Sequence, residues 1–162
     1  MPWLERHALA TSLVAGTLLS NFRNQGVYTI GGPGPQDVIG SFVGLAPTGG
    51  LSVRGYSPGA RSGNTYMIGN GEWRFPIAAL NQGFSTAPFF LRQLKGRFFM
   101  DAGTAYSGYI LDADPMLGAG AEISLVTVIG YYLSGTLRLG WAQGLVGEDT
   151  NSGLYLYYGG GF

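Results

Sequence analysis

Gly96-Arg97-Phe98-Phe99-Met100-Asp101-Ala102-Gly103-Thr104-Ala105-Tyr106 reads with a period of two. In an extended chain successive side chains point to opposite sides. Phe98, Met100, Ala102, Thr104 and Tyr106 therefore share one face, and Arg97, Phe99, Asp101, Gly103 and Ala105 share the other. Charge falls only on the second face. The stretch is also close to the ~10 residues that a tilted membrane-spanning strand requires.

The same pattern continues toward the C-terminus. From Gly118 to Ile129, Ala121, Ile123, Leu125, Thr127 and Ile129 oppose Glu122, Ser124, Val126 and Val128, so the carboxylate again faces away from the apolar side. Gly130-Tyr131-Tyr132 reads as a short turn. After it, Leu133, Leu137, Leu139 and Trp141 alternate with Ser134, Thr136, Arg138, Gly140 and Ala142. The last segment sets Leu154, Leu156, Tyr158 and Phe162 against Tyr155, Tyr157, Gly159 and Gly161. Near the N-terminus, Leu9, Thr11, Leu13, Ala15 and Thr17 alternate with Ala8, Ala10, Ser12, Val14 and Gly16. Arg6-His7 followed by Ala8 to Leu19 could also pass for the apolar core of a secretory signal. Glu5 and the lack of a small-x-small cleavage site before Asn21 favour the strand.

Alternation also occurs in soluble barrels and sandwiches, whose charged face meets water. Composition and the character of the polar face favour the membrane reading. Only 11% of residues are charged, 14% are aromatic and 29 are glycine, whereas an ordinary soluble domain is about 25% charged and about 7% glycine. A solvated strand face is rich in lysine and glutamate, yet Lys95 is the single lysine of the chain. Trp73, Tyr106, Tyr131, Tyr132, Trp141 and Tyr158 suit an interfacial aromatic girdle near strand ends. The expected fold is all-β: an antiparallel transmembrane β-barrel, or the C-terminal portion of one, in a single domain over residues 1–162 with about six to eight strands.

Residues 21–64 form a long glycine- and proline-rich loop, including Ile30-Gly31-Gly32-Pro33-Gly34-Pro35. Loops of this length are commonly functional. Short apolar runs at Val27 to Ile30 and Val38 to Leu45 could pair as an extra hairpin. The glycines lack the lysine-serine pair and helix that a phosphate cradle needs.

Three short motifs follow in order: Val53-Arg54-Gly55-Tyr56, Glu72-Trp73-Arg74-Phe75-Pro76 and Phe99-Met100-Asp101-Ala102-Gly103. Together with the hairpin of Leu117 to Leu145 and the terminal aromatic strand of Leu154 to Phe162, they resemble the C-terminal part of the bacterial surface antigen family of outer-membrane barrels. That family includes the outer-membrane assembly barrel and the two-partner-secretion translocators. The resemblance implies that the long loop folds into the lumen and that Arg54 meets Asp101, with Glu72 as a second partner. It also implies a barrel-assembly signal at Leu156, Tyr158 and Phe162. Physical chemistry agrees with such a lock. Asp101, Glu72 and Glu122 share the small-residue side, a guanidinium satisfies carboxylates with forked hydrogen bonds, Gly55 permits a sharp turn, and Tyr56 can pack on the wall.

Nine basic and nine acidic residues cancel, so no basic field exists to attract nucleic acid. No cysteine is present, which removes thiol catalysis, disulfides and thiolate metal sites. His7 is the only histidine; no metal cluster or serine-histidine-acid triad is legible, and neither enzyme activity nor a cofactor is expected. Expected partners are the lipid bilayer of the bacterial outer membrane, its assembly machinery, a substrate polypeptide and further copies through open strand edges. A single-chain bacterial barrel has about eight strands or more. The chain is therefore expected to be an excised piece of a longer barrel, with copies assembling together, or a small barrel completed by the loop, as the alternatives. Its expected function is protein insertion or translocation; a small pore or membrane anchor is the alternative, and a soluble ligand-binding barrel the third.

Overall fold

A computed structural model describes residues 6–18, 27–32, 52–83, 88–109, 113–130, 132–147 and 149–160. The fold is all-β. Among the described residues eight strands run in chain order: β1 Ala8–Thr17, β2 Tyr28–Ile30, β3 Arg61–Gly63, β4 Thr65–Gly83, β5 Phe89–Tyr106, β6 Met116–Ile129, β7 Leu133–Gly144 and β8 Ser152–Gly160. Six of them form one antiparallel sheet in the order β1-β4-β5-β6-β7-β8, and β2 pairs with β3 in a separate ribbon.

Register turns the sequence alternation into rows across the sheet. Leu9 lies opposite Trp73, Trp73 opposite Phe98, Phe98 opposite Ala121, Ala121 opposite Trp141 and Trp141 opposite Leu154. A neighbouring row carries Phe75, Gly96, Ile123, Leu139 and Leu156. This face stays bare: Phe98 is 50% exposed, Leu139 51% and Leu154 77%. Thr127 departs from the pattern, being buried with its hydroxyl donating to the Gly135 carbonyl at 3.2 Å. The opposite face carries Glu72, Asp101 and Glu122, all buried.

Local chemistry explains the breaks in the ladders. Ile129 pairs with Leu133, so β6 and β7 are joined by the expected turn, and Gly130 adopts the positive φ of 62° that such a turn requires. β1 pairs with β4 only from Thr65 to Arg74, so Pro76, which has no N–H to donate, falls where β4 lacks a partner on that side among the described residues. Register shifts follow between Pro76 and Ala78 and between Ala79 and Gln82 of β4, and between Leu91 and Gln93 of β5.

The structure sharpens several expectations. The sheet is open: among the described residues β1 and β8 each have a strand neighbour on one side only. Six strands enclose little volume, because small closed barrels need about eight to be filled by side chains. Within the expected loop, β2 pairs with β3, and the run at Val38 to Leu45 lies outside the described residues. Trp73 sits in the middle of β4 rather than at its end, while Tyr106 closes β5 and Tyr132 precedes β7. Tyr131 and Phe162 also lie outside the described residues. Leu156 and Tyr158 lie on β8 opposite Leu139 and Leu137.

Candidate functional site: a loop tip clamped to the charged face

Beyond β2 the chain returns to the charged face of the sheet. Ser52 forms a parallel bridge with Gly31, and the Val53 amide donates to the Gly31 carbonyl at 2.7 Å. Val53 and Tyr56 then join Ile30, Ile68, Ala105 and Met116 in a small buried core, with Ala60 and Tyr66 packed against it. This burial holds the segment against the sheet at the end where β5 finishes and β6 begins.

Arg54 is carried past that core onto the wall. Its backbone N–H donates to Asp101 Oδ2 at 3.1 Å, its Nε to Oδ2 at 2.7 Å and its Nη2 to Oδ1 at 2.8 Å. The guanidinium thus grips the carboxylate as a fork, the strongest neutral-pH geometry for this pair. Nη2 also reaches Glu72 Oε1 at 3.2 Å, and Arg54 Cζ stands 3.5 Å from the centre of the Phe99 ring. Asn70 adds a hydrogen bond to Asp101 Oδ1. Asp101 is only 1% exposed, so these donors replace the water it has lost. Burial works against charge on Arg54, but the hydrogen bond and charge of Asp101, followed by Tyr155 and Glu72, outweigh it and hold the pKa above the ordinary guanidinium range.

Tyr56 fastens the other side of the tip. Its hydroxyl accepts from the Leu117 amide at 2.8 Å and donates to the Val146 carbonyl at 2.6 Å, bridging the two backbones where β6 starts and β7 has ended. The Gly55 carbonyl accepts from the Asn151 amide at 2.9 Å. Gly55 itself has φ of +92°, and a Cβ there would run into the backbone of Gln143 and Gly144. On the wall, a Cβ at Gly118 would strike the Arg54 carbonyl and one at Gly144 would strike the Gly55 carbonyl. Glycines on two neighbouring strands, β6 and β7, thus make the contact surface for one loop.

The cluster extends sideways from Arg54. Arg74 donates to Glu72 Oε2 through Nε at 2.9 Å and Nη2 at 2.6 Å, and Arg97 Nη1 donates to both Glu72 oxygens at 2.9 Å. Arg97 also grips Glu122 Oε1, through Nε at 3.0 Å and through Nη2. Glu122 accepts further bonds from Ser124 at 2.9 Å and from the Tyr155 hydroxyl at 3.1 Å. Of the expected lock residues, Arg54 meets Asp101 and Glu72 directly, while Gly55 and Tyr56 dock on the wall beside them, at Asn151 and at Leu117 and Val146. Glu122 is joined to them through Arg97, which binds Glu122 and Glu72 together. Arg74, Arg97, Asn70 and Tyr155 complete the site without having been expected there. The signal for Arg97 was its place on the same period-two face as Asp101; its partner Glu122 depends on register.

Comparison with protein-family models, with curated proteins and with solved structures gave no match.

Proposed function

We propose that the chain is a portion or minimal version of a bacterial outer-membrane β-barrel related to those that insert or translocate polypeptides. One observation carries this reading: a single antiparallel sheet has a bare apolar face across six strands and an opposite face on which an Arg-Gly-Tyr loop tip is clamped. Contiguous apolar surface of this extent is unusual in a soluble monomer and suits the lipid bilayer. Sheet order supports closure as well, because strand direction alternates from β1 to β8 and the two open edges are antiparallel to one another. In lipid those edges require partners, whether further strands of a longer chain or another copy. The convergence of Arg54, Glu72 and Asp101 supports the kinship, since three separate short motifs supply one site.

The proposed lock holds the loop tip against the lumenal wall while other polypeptides use the lumen or a lateral seam. Heat-modifiable mobility in detergent tests the barrel; conductance in planar bilayers with peptide-sensitive block tests the transport role. A single mobility form at all temperatures contradicts a barrel. A second reading, a pore or membrane anchor, is favoured by the engagement of all three buried carboxylates with arginines, as in a fixed plug. Conductance without peptide block, or no conductance from a correctly inserted protein, would select it.

A further inference from the structure

Away from the loop tip, the charged face changes character. Lys95 follows Arg97 on the same side of β5, and Ser124 stands between Lys95 and Arg138 in the cross-strand row. Arg92 is the extra residue at the register shift between Leu91 and Gln93. Across the β4–β5 pair lies the shift between Ala79 and Gln82, which contains Asn81. Among the described residues Asn81 is the one non-glycine with positive φ, at 45°. Such bulges re-aim side chains and concentrate near functional sites, and a left-handed backbone at a non-glycine is a local cost that a regular ladder avoids.

The two irregularities border an open hollow of about 400 Å³, lined by Ala79, Asn81, Arg92, Gln93, Lys95 and Val126. Two cations and two carboxamides line it, and no carboxylate does. Glu72, Asp101 and Glu122 are already engaged by Arg54, Arg74 and Arg97. Asp114 and Asp149 attend Arg61 near the loop tip. Among the described residues, Arg92, Lys95 and Arg138 make no ion pair.

We propose that this hollow binds an acidic segment of polypeptide. Arg92 and Lys95 supply charge-assisted hydrogen bonds to side-chain carboxylates. Asn81 and Gln93 each offer both a donor and an acceptor, which matches the N–H and C=O of a peptide backbone. A fully ionised phosphate offers acceptors alone and would leave the two amide oxygens unused. As a substrate contact the site rests on the translocation reading above; binding itself requires only the folded chain.

The test uses the full chain refolded in detergent, with fluorescence anisotropy of a labelled glutamate-rich peptide and of its glutamine counterpart. The glutamate peptide should bind more tightly, and less so as salt is raised. Arg92→Gln with Lys95→Gln should weaken it about tenfold or more, the loss expected when charged hydrogen bonds are removed. Asn81→Gly, which suits the left-handed backbone, should weaken it with the fold retained. Arg61→Gln, which removes a cation paired with exposed carboxylates near the loop tip, should leave it unchanged. Equal binding of both peptides, or no effect of the double substitution, would overturn the proposal. Displacement of the peptide by equimolar inorganic phosphate would overturn it in favour of a phosphate site. Heat-modifiable mobility measured on the same samples separates the two ideas: peptide binding without it contradicts the barrel alone, and the reverse contradicts the site alone.

Discussion

Arg54 is the residue on which the docked loop turns, because its fork, its backbone N–H and its ring contact all end on Asp101, Glu72 and Phe99. Removing one member of a buried ion pair leaves the other uncompensated, at a cost of about 3–5 kcal/mol. Arg54→Ala and Asp101→Ala should each loosen the loop, read as faster cleavage in limited proteolysis and faster exchange of the Val53 amide. Arg54→Asp combined with Asp101→Arg should restore part of the protection. If both alanine variants and the reversed pair are digested alike, the lock has no role in holding the loop. Gly55→Ala addresses the same contact through the backbone. Its Cβ has no room beside Gln143 and Gly144, and a φ of +92° is unfavourable for alanine. The expected result is an undocked tip with all three carboxylates still present, detected by exchange of the Asn151 amide that now donates to Gly55.

Among the strands, β8 depends on more than its ladder. The Tyr155 ring lies over Gly140 of β7, and its hydroxyl reaches Glu122 on β6, one strand beyond its own neighbour. Tyr155→Phe keeps the ring and removes that bond, so β8 should lose about 1 kcal/mol of local stability. Hydrogen exchange along Leu154 to Tyr158 should speed up while β5 amides keep their protection; unchanged exchange would show that the hydroxyl contributes nothing to the edge. This contact also marks how far the sequence could be read. The two faces of β1, β5, β6, β7 and β8 were legible because period two survives any register. The pairing of Arg97 with Glu122, and of Tyr155 with Glu122 across Gly140, needs the register itself, which no single strand encodes. The docking of the loop was legible only as a resemblance. Its physical basis, the open space at Gly118 and Gly144, consists of missing side chains whose meaning depends on what approaches them. The β2–β3 ribbon escaped for another reason, since three-residue strands carry too little alternation to register as a period.

For the whole molecule, the decisive property is that charge and apolar surface lie on opposite faces of one sheet. Leu139, half exposed in a row with Ile123 and Leu156, tests which medium covers the bare face. Ser134 lies on the opposite face of the same strand, nearer its end, and is also exposed, so it carries the same substitution on the charged side. An arginine on the lipid side of a barrel costs about 2–4 kcal/mol near the bilayer midplane and much less near the interface, whereas interior positions accept charge. Leu139→Arg should therefore shift the chain out of phospholipid vesicles in a flotation assay and lower the yield of the heat-modifiable form. Ser134→Arg should float as the unsubstituted protein does. A soluble protein would show no difference between the two, because Leu139→Arg would merely replace an exposed apolar side chain with a hydrated one and vesicles would play no part. Equal flotation of the two variants would mean that the apolar face is not the surface that meets lipid, and the membrane reading of the sheet would fall with it.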